Sequence, residues 1–437
     1  MKFFCIDIGS TYVKIVLDDT ALGISASYRI PSPAREGQGH VFEINAASCL
    51  QILRDEINKA LDDGFGVEGL LISTQMHGFV YNDKYVSWQD TSCLDTDPTN
   101  GRTYLEQLKL MVPEEAMSNS GVKMKPSLGI CNLYARLKRK EELSCKAEIY
   151  TLGSWIIHQL TGRNICHISN AAPLGLIDLS TRSWDRNILT KLGLDNLKLP
   201  EIAAEDYAPV GTYHYRGGEI LVFPDYGDQQ VSVCGISDDK DSVIINAATA
   251  AQVIRKSSAP LKTGCENRPY FEGKYLNVIT NLPSGRNLQV LIRFLQTAVE
   301  RITGETVDES EVWKALNTDR ISDELIIDPR FYPDQGSSDG GSITGINANS
   351  FNPDTLMSAM FSAMAEEFRK AIQSMKISDD EEIPEIICIG GVCRKNPSMI
   401  EKVESATGIK CRIPDDEDEA ISGFIKIANK CEERYGR

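Results

Sequence analysis

The stretch Phe3–Thr20, FFCIDIGSTYVKIVLDDT, sets two apolar runs on either side of a short polar break. Phe3 to Ile8 and Val13 to Leu17 read as strands, and Gly9, Ser10 and Thr11 between them are turn residues that close a hairpin. A second turn at Asp18-Asp19-Thr20 leads to Ile24–Ile30, a third strand of the same meander. Leu53, Ile57, Ala60 and Leu61 then recur at helical spacing, and Gly69–Ser73 is another short apolar run, so the order is β-β-β-α-β. Asp7 ends the first strand, where a carboxylate has no core role and is costly to bury unpaired. With Gly9, Ser10 and Thr11 it offers backbone N–H groups, hydroxyls and one carboxylate, a set suited to a phosphate and its hydrated metal ion, and Lys14 adds a cation nearby. The same Asp-x-Gly-Ser pattern also serves as an ordinary hairpin turn.

The second half replays this order. Ser242–Asn246, Ala250–Ile254 and Tyr275–Ile279 read as strands, with amphipathic helices around 288–302 and 355–375. Its first two strands are again joined by a short polar loop, Asn246-Ala247-Ala248-Thr249-Ala250. The chain of 437 residues exceeds one ordinary domain. The expected fold is α/β, two duplicated lobes around a central cleft with one polar loop from each gripping a polyphosphate. The charged run 237–241 marks the boundary, giving an N-terminal lobe 1–236 and a C-terminal lobe 237–437. Residues 330–345, rich in Gly, Ser, Asp and Pro, read as a long loop. The C-terminal section is a βαβα unit: Glu385–Ile389 is an apolar strand followed by Gly390-Gly391, Asn396-Pro397 opens a helix, Ile409–Ile413 is a strand, and the final helix runs from Glu417.

With 46 basic against 62 acidic residues the net charge is −16, which argues against a sequence-independent hold on nucleic acid or anionic lipid. No apolar run approaches the roughly 20 residues that span a bilayer. The N-terminus lacks the basic and long apolar stretches of a secretory signal, so a cytoplasmic location is expected. The 12 cysteines are scattered singly, mostly within apolar runs, with no CxxC pair, and read as buried thiols rather than a disulfide framework or zinc site.

Two further clusters carry chemistry. Ser73-Thr74-Gln75-Met76-His77-Gly78 follows a strand directly, and Trp88-Gln89-Asp90 adds an aromatic wall with an amide and a carboxylate, a combination suited to polyhydroxylated ligands. Asp225-Tyr226-Gly227-Asp228-Gln229-Gln230 precedes the helical stretch Val231–Ile236. That places Asp228 at an electropositive helix terminus, as an acceptor for a proton or as a plain N-cap.

In order along the chain, these elements resemble the FGGY family of carbohydrate kinases, within the wider ribonuclease H-like class of sugar kinases, actin and heat-shock ATPase domains. Asp7–Thr11 resembles the family's first phosphate loop, Gln75–Gly78 its sugar-binding QMHG element, and Trp88–Asp90 the following sugar contact. Gly227-Asp228-Gln229 resembles the catalytic step, Asn246–Gln252 the second phosphate loop, and Gly390-Gly391 with Arg394–Asn396 the nucleotide-base loop. The resemblance implies ATP and Mg²⁺, with Asp228 as catalytic base. It implies substrate contacts from Gln75, Met76, His77, Trp88, Asp90, Asn170 and Gln229, nucleotide contacts from Gly9, Ser10, Thr11, Lys14, Thr249, Gly390, Gly391 and Asn396, and a metal role for Asp7. The partners implied are a small-molecule sugar and ATP, with neither nucleic acid nor membrane, and a homodimer is one candidate assembly.

Within the family, Thr74–Gly78, Asn170-Ala171-Ala172 with Gly175, and Arg268-Pro269-Tyr270-Phe271 leading to Gly273–Leu276 look most like sedoheptulokinases. Xylulose, ribulose or polyol kinases, and a nucleotide-binding regulatory protein without transfer, stand as alternatives. The second phosphate loop departs from the family's Gly-Thr-Ser pattern in having Ala248-Thr249-Ala250, and residues 330–345 lack the usual Gly-Glu-Arg run.

Overall fold

Strand β1 (Lys2–Ile8) is buried from Phe3 onward and pairs antiparallel with β2 (Tyr12–Asp19), which pairs antiparallel with β3 (Gly23–Pro31). The hairpin read from the sequence is this pair, turning at Gly9–Thr11. Helix α1 (Ala46–Asp62) starts at Asn45, whose side chain accepts the N–H of Ala47. Its spacing of Leu50, Leu53, Ile57 and Ala60 lays one apolar stripe on Phe4, Ile6, Val13 and Ile15. Strand β4 (Gly69–Thr74) then returns parallel to β1.

Between β4 and the next sheet strands lies a long insertion with helices α2 (Gly129–Arg139) and α3 (Leu152–Thr161). A small sheet of Glu43–Asn45, Lys84–Val86 and Phe79–Tyr81 precedes them. Strands β5 (Gly211–Tyr215) and β6 (Gly218–Gly227) complete the first sheet in the order β5-β6-β4-β1-β2-β3, and β6 runs straight into helix α4 (Asp228–Ile236).

The second sheet uses the same plan. Strands β7 (Val243–Ala247), β8 (Ala251–Ser257), β9 (Glu266–Pro269) and β10 (Tyr275–Leu282) are followed by helices α5 (Gly285–Thr303), α6 (Glu309–Ala315) and α7 (Pro353–Ser374). Strand β11 (Ile386–Ile389), helices α8 (Gly391–Lys395) and α9 (Pro397–Thr407), strand β12 (Cys411–Arg412) and helix α10 (Glu419–Tyr435) end the chain. The order is β9-β10-β8-β7-β11-β12. In both sheets a three-stranded antiparallel meander continues into parallel strands on the far side of its first member: β1-β4-β6 in one, β7-β11-β12 in the other. The molecule is therefore a duplicated α/β fold with two sheet-containing lobes, the actin/hexokinase-like ATPase fold. The second lobe has its own core, where Val253, Leu291, Phe361, Met364, Phe368 and Ile386 meet.

This computed structural model describes every residue except 140–142, 145, 237–241, 262–263, 317–324, 336–339, 377–380, 416–417, 437 and the side chain of Asp334. The charged run 237–241 and part of the loop 330–345 thus lie outside the described residues. The chain divides into one unit of Met1–Asp238, Arg268–Lys274 and Asp416–Arg437, and another of Asp239–Asn267 and Tyr275–Asp415. The last helix and a seven-residue segment, 268–274, which starts at the end of β9, thus belong with the first unit, although the sequence reading places both in the lobe 237–437. The physical reason is the pairing of α10 with α4, which no local pattern announces. Among the described residues no helix is long and apolar enough to cross a membrane, and no described cysteine is in a disulfide.

Candidate active site

Three strand ends lie level in the first sheet. Asp7 pairs with Ser73 and Ile8 with Thr74 across β1 and β4, and Thr74 pairs with Gly227 across β4 and β6. The carboxyl ends of these parallel strands therefore gather Asp7–Gly9, Gln75–Gly78 and Asp228, at the usual place for a ligand in an open α/β sheet.

Asp7 is buried, with Ser73 Oγ donating to its Oδ1 at 3.0 Å and Lys14 Nζ 3.6 Å from its Oδ2. Burial pushes its pKa up, while Lys14 and Ser73 pull it down. Lys14 also donates to Asp418 Oδ1 at 3.0 Å, and Arg29 reaches the other oxygen of Asp418 at 2.6 Å. Ser10 and Thr11 are exposed at the hairpin tip beside Gly9.

Asp228 opens α4, half-buried, with the N–H of Gln229 donating to its Oδ1 at 2.8 Å. Loss of hydration and the neighbouring Asp7 carboxylate raise its pKa to about 7, outweighing the Gln229 N–H, Arg268 and Lys14, which favour the charged form. A carboxyl titrating there can both hold and release a proton near neutrality. Arg268 Nη1 donates to Gln229 Oε1 at 2.6 Å, and Gln230 Nε2 to the carbonyl of Pro269 at 3.0 Å, so the 268–274 segment is tied to the first turn of this helix. Gly227 has no room for a side chain: a Cβ there would lie 2.4 Å from Gln230 Oε1 and 2.7 Å from Met76 Sδ. That close approach brings Met76 of the Gln75–Gly78 element against the residue before Asp228.

Met76 and Gln75 are buried, and His77 adopts a left-handed φ of 71°. Gln75 Oε1 accepts from Ser87 Oγ at 3.2 Å, whereas its buried Nε2 has no hydrogen-bond partner among the described residues, a donor left for a ligand. Trp88 is 40% exposed. Asp90 is fully buried and its oxygens accept from the N–H groups of Phe42 and Ser92, both at 2.9 Å, and from Arg136 Nη2 at 2.9 Å. Its carboxylate therefore holds this region together. Asn170 Nδ2 donates to Thr74 Oγ1 at 3.2 Å and Asp225 Oδ2 at 2.9 Å.

Sequence reasoning did not single out Thr151, His167, Ser169, Asp206 or Asp418, and it quoted Ser73 and Asp225 only as the first residues of motifs. Asp225 accepts from Thr151 Oγ1 at 2.6 Å and from the N–H of His167 at 2.8 Å, and burial raises its pKa to about 6. The available signal was polarity out of place: Ser73 and Thr74 end an apolar strand, and His167 interrupts Ile165-Cys166-His167-Ile168.

The second unit carries its own cavity, of about 980 Å³, lined among others by Ala248, Thr249, Glu309, Trp313, Gly391 and Asn396. That volume is at the upper end for small-molecule pockets. The Ala248 and Thr249 carbonyls accept the N–H groups of Gly285 and Arg286, both at 2.9 Å, fastening the loop to the start of α5. Gly390 stands just before α8, and Asn396 Nδ2 donates to the Val392 carbonyl at 2.8 Å. Among the described residues no group of three or more His, Cys, Asp or Glu side chains could hold a metal ion by itself.

Residues 3–259 match the model of the N-terminal domain of the FGGY family of carbohydrate kinases. A glycerol kinase of Streptococcus uberis is 25% identical over 271 residues, covering 57% of this chain and 51% of that protein. A glycerol kinase of Streptococcus pyogenes is 24% identical over 261 residues, again 57% of this chain and 51% of that protein. The match thus spans about half the length of these curated relatives. Among solved structures, a xylulose kinase from Lactobacillus acidophilus superposes with a TM-score of 0.81 at 17% identity, covering 100% of this chain and 90% of that one. A Plasmodium falciparum glycerol kinase with ADP gives 0.82 at 16% identity, with 99% and 90% coverage. At such identities the likeness is one of fold. With the family model matching more than half of its length, the chain belongs to the FGGY family of carbohydrate kinases.

Proposed function

We propose that the protein is an ATP-dependent carbohydrate kinase that phosphorylates a primary hydroxyl of a ketose, with sedoheptulose as the first candidate. The observation that carries this reading is Asp228: a carboxyl with a pKa near 7 at a helix start, beside Asp7 and Lys14, at the ends of three parallel strands. Asp228 accepts the hydroxyl proton as the oxygen attacks the terminal phosphorus of the nucleotide in line, the bond from that phosphorus to the bridging oxygen breaks, and ADP leaves. Gln75 Nε2 donates to a sugar hydroxyl, and Met76, His77, Trp88, Asn170 and Gln229 shape the acceptor site. The hairpin tip Gly9–Thr11 with Lys14 is a phosphate-binding loop of the first unit, and Thr249, Gly391 and Asn396, with the adjacent Gly390, belong to a nucleotide-binding pocket of the second.

The residues fit a Mg²⁺ ion that arrives with the nucleotide. Asp7 is a single buried carboxylate, suited to orienting the ion's waters rather than caging it. When bound, the ion would neutralise phosphate charge.

Sedoheptulose is favoured by the Thr74–Gly78, Asn170–Gly175 and Arg268–Leu276 stretches. A shorter acceptor, glycerol or xylulose, is favoured by the names of the relatives above. Purified protein with ATP and a panel of glycerol and C5 to C7 ketoses, read by ADP release and by the position of the phosphate, separates the two. No sugar-stimulated ADP release from any member would leave a nucleotide-binding protein without transfer.

A further inference from the structure

We propose that His167 and Ser169 are positioning residues for the base: they hold the backbone N–H of Gly227, one residue before Asp228, and so set where its carboxylate points. The proposal rests on the kinase reading. Both side chains are buried, at 1% and 0% exposure, and lie outside every motif that the family resemblance absorbs.

The hydrogen bonds form a chain with one consistent direction. His167 precedes the short helix Ile168–Ala171, and its Nδ1 accepts the N–H of Ser169 at 3.2 Å. Nδ1 is therefore the unprotonated ring nitrogen, and Ser169 Oγ, 2.7 Å from it, donates its hydrogen there. The proton on Nε2 goes to Asp206 Oδ1 at 2.9 Å. With its hydrogen committed to His167, Ser169 Oγ presents lone pairs, and the N–H of Gly227 donates to it at 3.0 Å. Asp206 is itself fixed, its Oδ2 accepting the N–H of Glu272 at 2.5 Å. The His167 ring is wedged between Tyr226 and Phe271, with centroids 5.2 and 5.6 Å away.

The same short segment grips β6 a second time. The N–H of His167 and Nδ2 of Asn170 take the two oxygens of Asp225, at 2.8 and 2.9 Å. Residues 167–170 thus clamp β6 at Asp225 and Gly227, and the residue after the clamp is Asp228. A strand end released at Gly227 lets the first turn of α4 shift, and displacement of a reacting group by about 1 Å costs on the order of a hundredfold in rate. The His167 ring and Ser169 Oγ are already committed to each other, to Asp206 and to Gly227, so their loss is expected to leave substrate binding nearly unchanged.

The test compares wild type, Ser169→Ala, Ser169→Thr, His167→Asn and Asp228→Asn, using ATP and the panel sugar that wild type turns over fastest. Ser169→Ala is expected to lower kcat about 10- to 100-fold while KM for sugar and for ATP stays within about threefold. Ser169→Thr, which keeps the oxygen, restores kcat to within about fivefold of wild type. His167→Asn keeps an acceptor for the Ser169 N–H but loses the reach to Asp206, and is expected to fall between them; it carries the test if Ser169→Ala does not fold. A kcat for Ser169→Ala and His167→Asn within twofold of wild type overturns the proposal. So does a loss in which KM rises in proportion, or one that Ser169→Thr does not relieve. Asp228→Asn turning over like wild type removes the base that His167 and Ser169 would position and so overturns the proposal while leaving the kinase reading intact, whereas a wild type inert on the whole panel overturns the kinase reading itself.

Discussion

Asp228 and Asp90 are both buried or half-buried carboxylates, yet their surroundings give them opposite tasks. Asp90 is saturated by two N–H groups and an arginine, whereas Asp228 has one N–H and an anionic neighbour. Because burial and Asp7 hold the Asp228 pKa at about 7, a base that must be ionised gives a rate that falls tenfold per pH unit below that value. The linkage to stability has the opposite sense. A carboxyl whose folded pKa is raised contributes stability present below the unfolded value of 3.8 and lost as pH rises through about 7. Asp228→Asn is therefore expected to abolish transfer yet raise stability at pH 8 by about 2 kcal/mol, discounted because the side chain keeps contact with water. Denaturant curves at pH 8 and pH 4 check this, and the gain should vanish at the lower pH. Arg136 predicts the reverse. Its guanidinium, 3% exposed, bonds Asp90 at 2.9 Å, Glu43 at 2.5 Å and the Tyr81 hydroxyl at 3.1 Å. Arg136→Met leaves Asp90 short of its counter-charge and should cost about 3 kcal/mol in urea unfolding; a loss under about 1 kcal/mol would mean that the two backbone donors suffice.

Helices α4 and α10 meet backbone to backbone. A Cβ on Gly235 would stand 2.1 Å from the Glu419 carbonyl oxygen, and one on Gly423 2.0 Å from that of Val231. The contact matters to the site because α10 begins next to Asp418, the residue that pairs with Lys14. Gly423→Ala and Gly235→Ala should each cost about 2–3 kcal/mol through forced separation of the helices, while Gly66→Ala, where nothing lies within 4 Å, stays within about 0.5 kcal/mol. Equal melting temperatures for Gly423→Ala and wild type would count against this packing. The meander was legible because β1 and β2 are apolar runs broken by Gly9-Ser10-Thr11, and α1 because its leucines and isoleucines keep a helical period. Helix α8 and strand β9 were not: five and four residues carry too little periodicity to stand out. The Asp228 step was legible as a motif. The His167–Ser169 clamp and the Asp418 partner were not, because they act from distant segments and no spacing along the chain encodes them.

At the scale of the whole molecule, the kinase reading asks a chain of net charge −16 to bind an anionic nucleotide, which requires positive potential concentrated locally, at Lys14 and at loop and helix-start N–H groups. The duplicated plan was legible because both halves repeat one order of apolar runs. Its partition was not, since a boundary at 236 follows the chain, whereas the packing follows α4 and draws residues 268–274 and α10 into the first unit. The difference is testable by truncation. A fragment of residues 1–236 keeps the first sheet but strips α4 of its partner, baring Val231, Val233 and Cys234, which are buried in the full chain together with Phe424, Ile427 and Cys431 of α10. Each large apolar side chain returned to water costs about 2 kcal/mol, enough in sum to exhaust the stability of a typical domain. The fragment should therefore bind a hydrophobic dye and unfold without a sharp transition. Gly235 lies against Glu419, so the end of α4 and the start of α10 are neighbours. Residues 418–437 joined to Ile236 by a short Gly-Ser linker should then restore a cooperative urea transition. Cooperative unfolding of 1–236 alone would show instead that the sheet and its own helices suffice, and that α10 is an accessory to the first unit rather than part of its core.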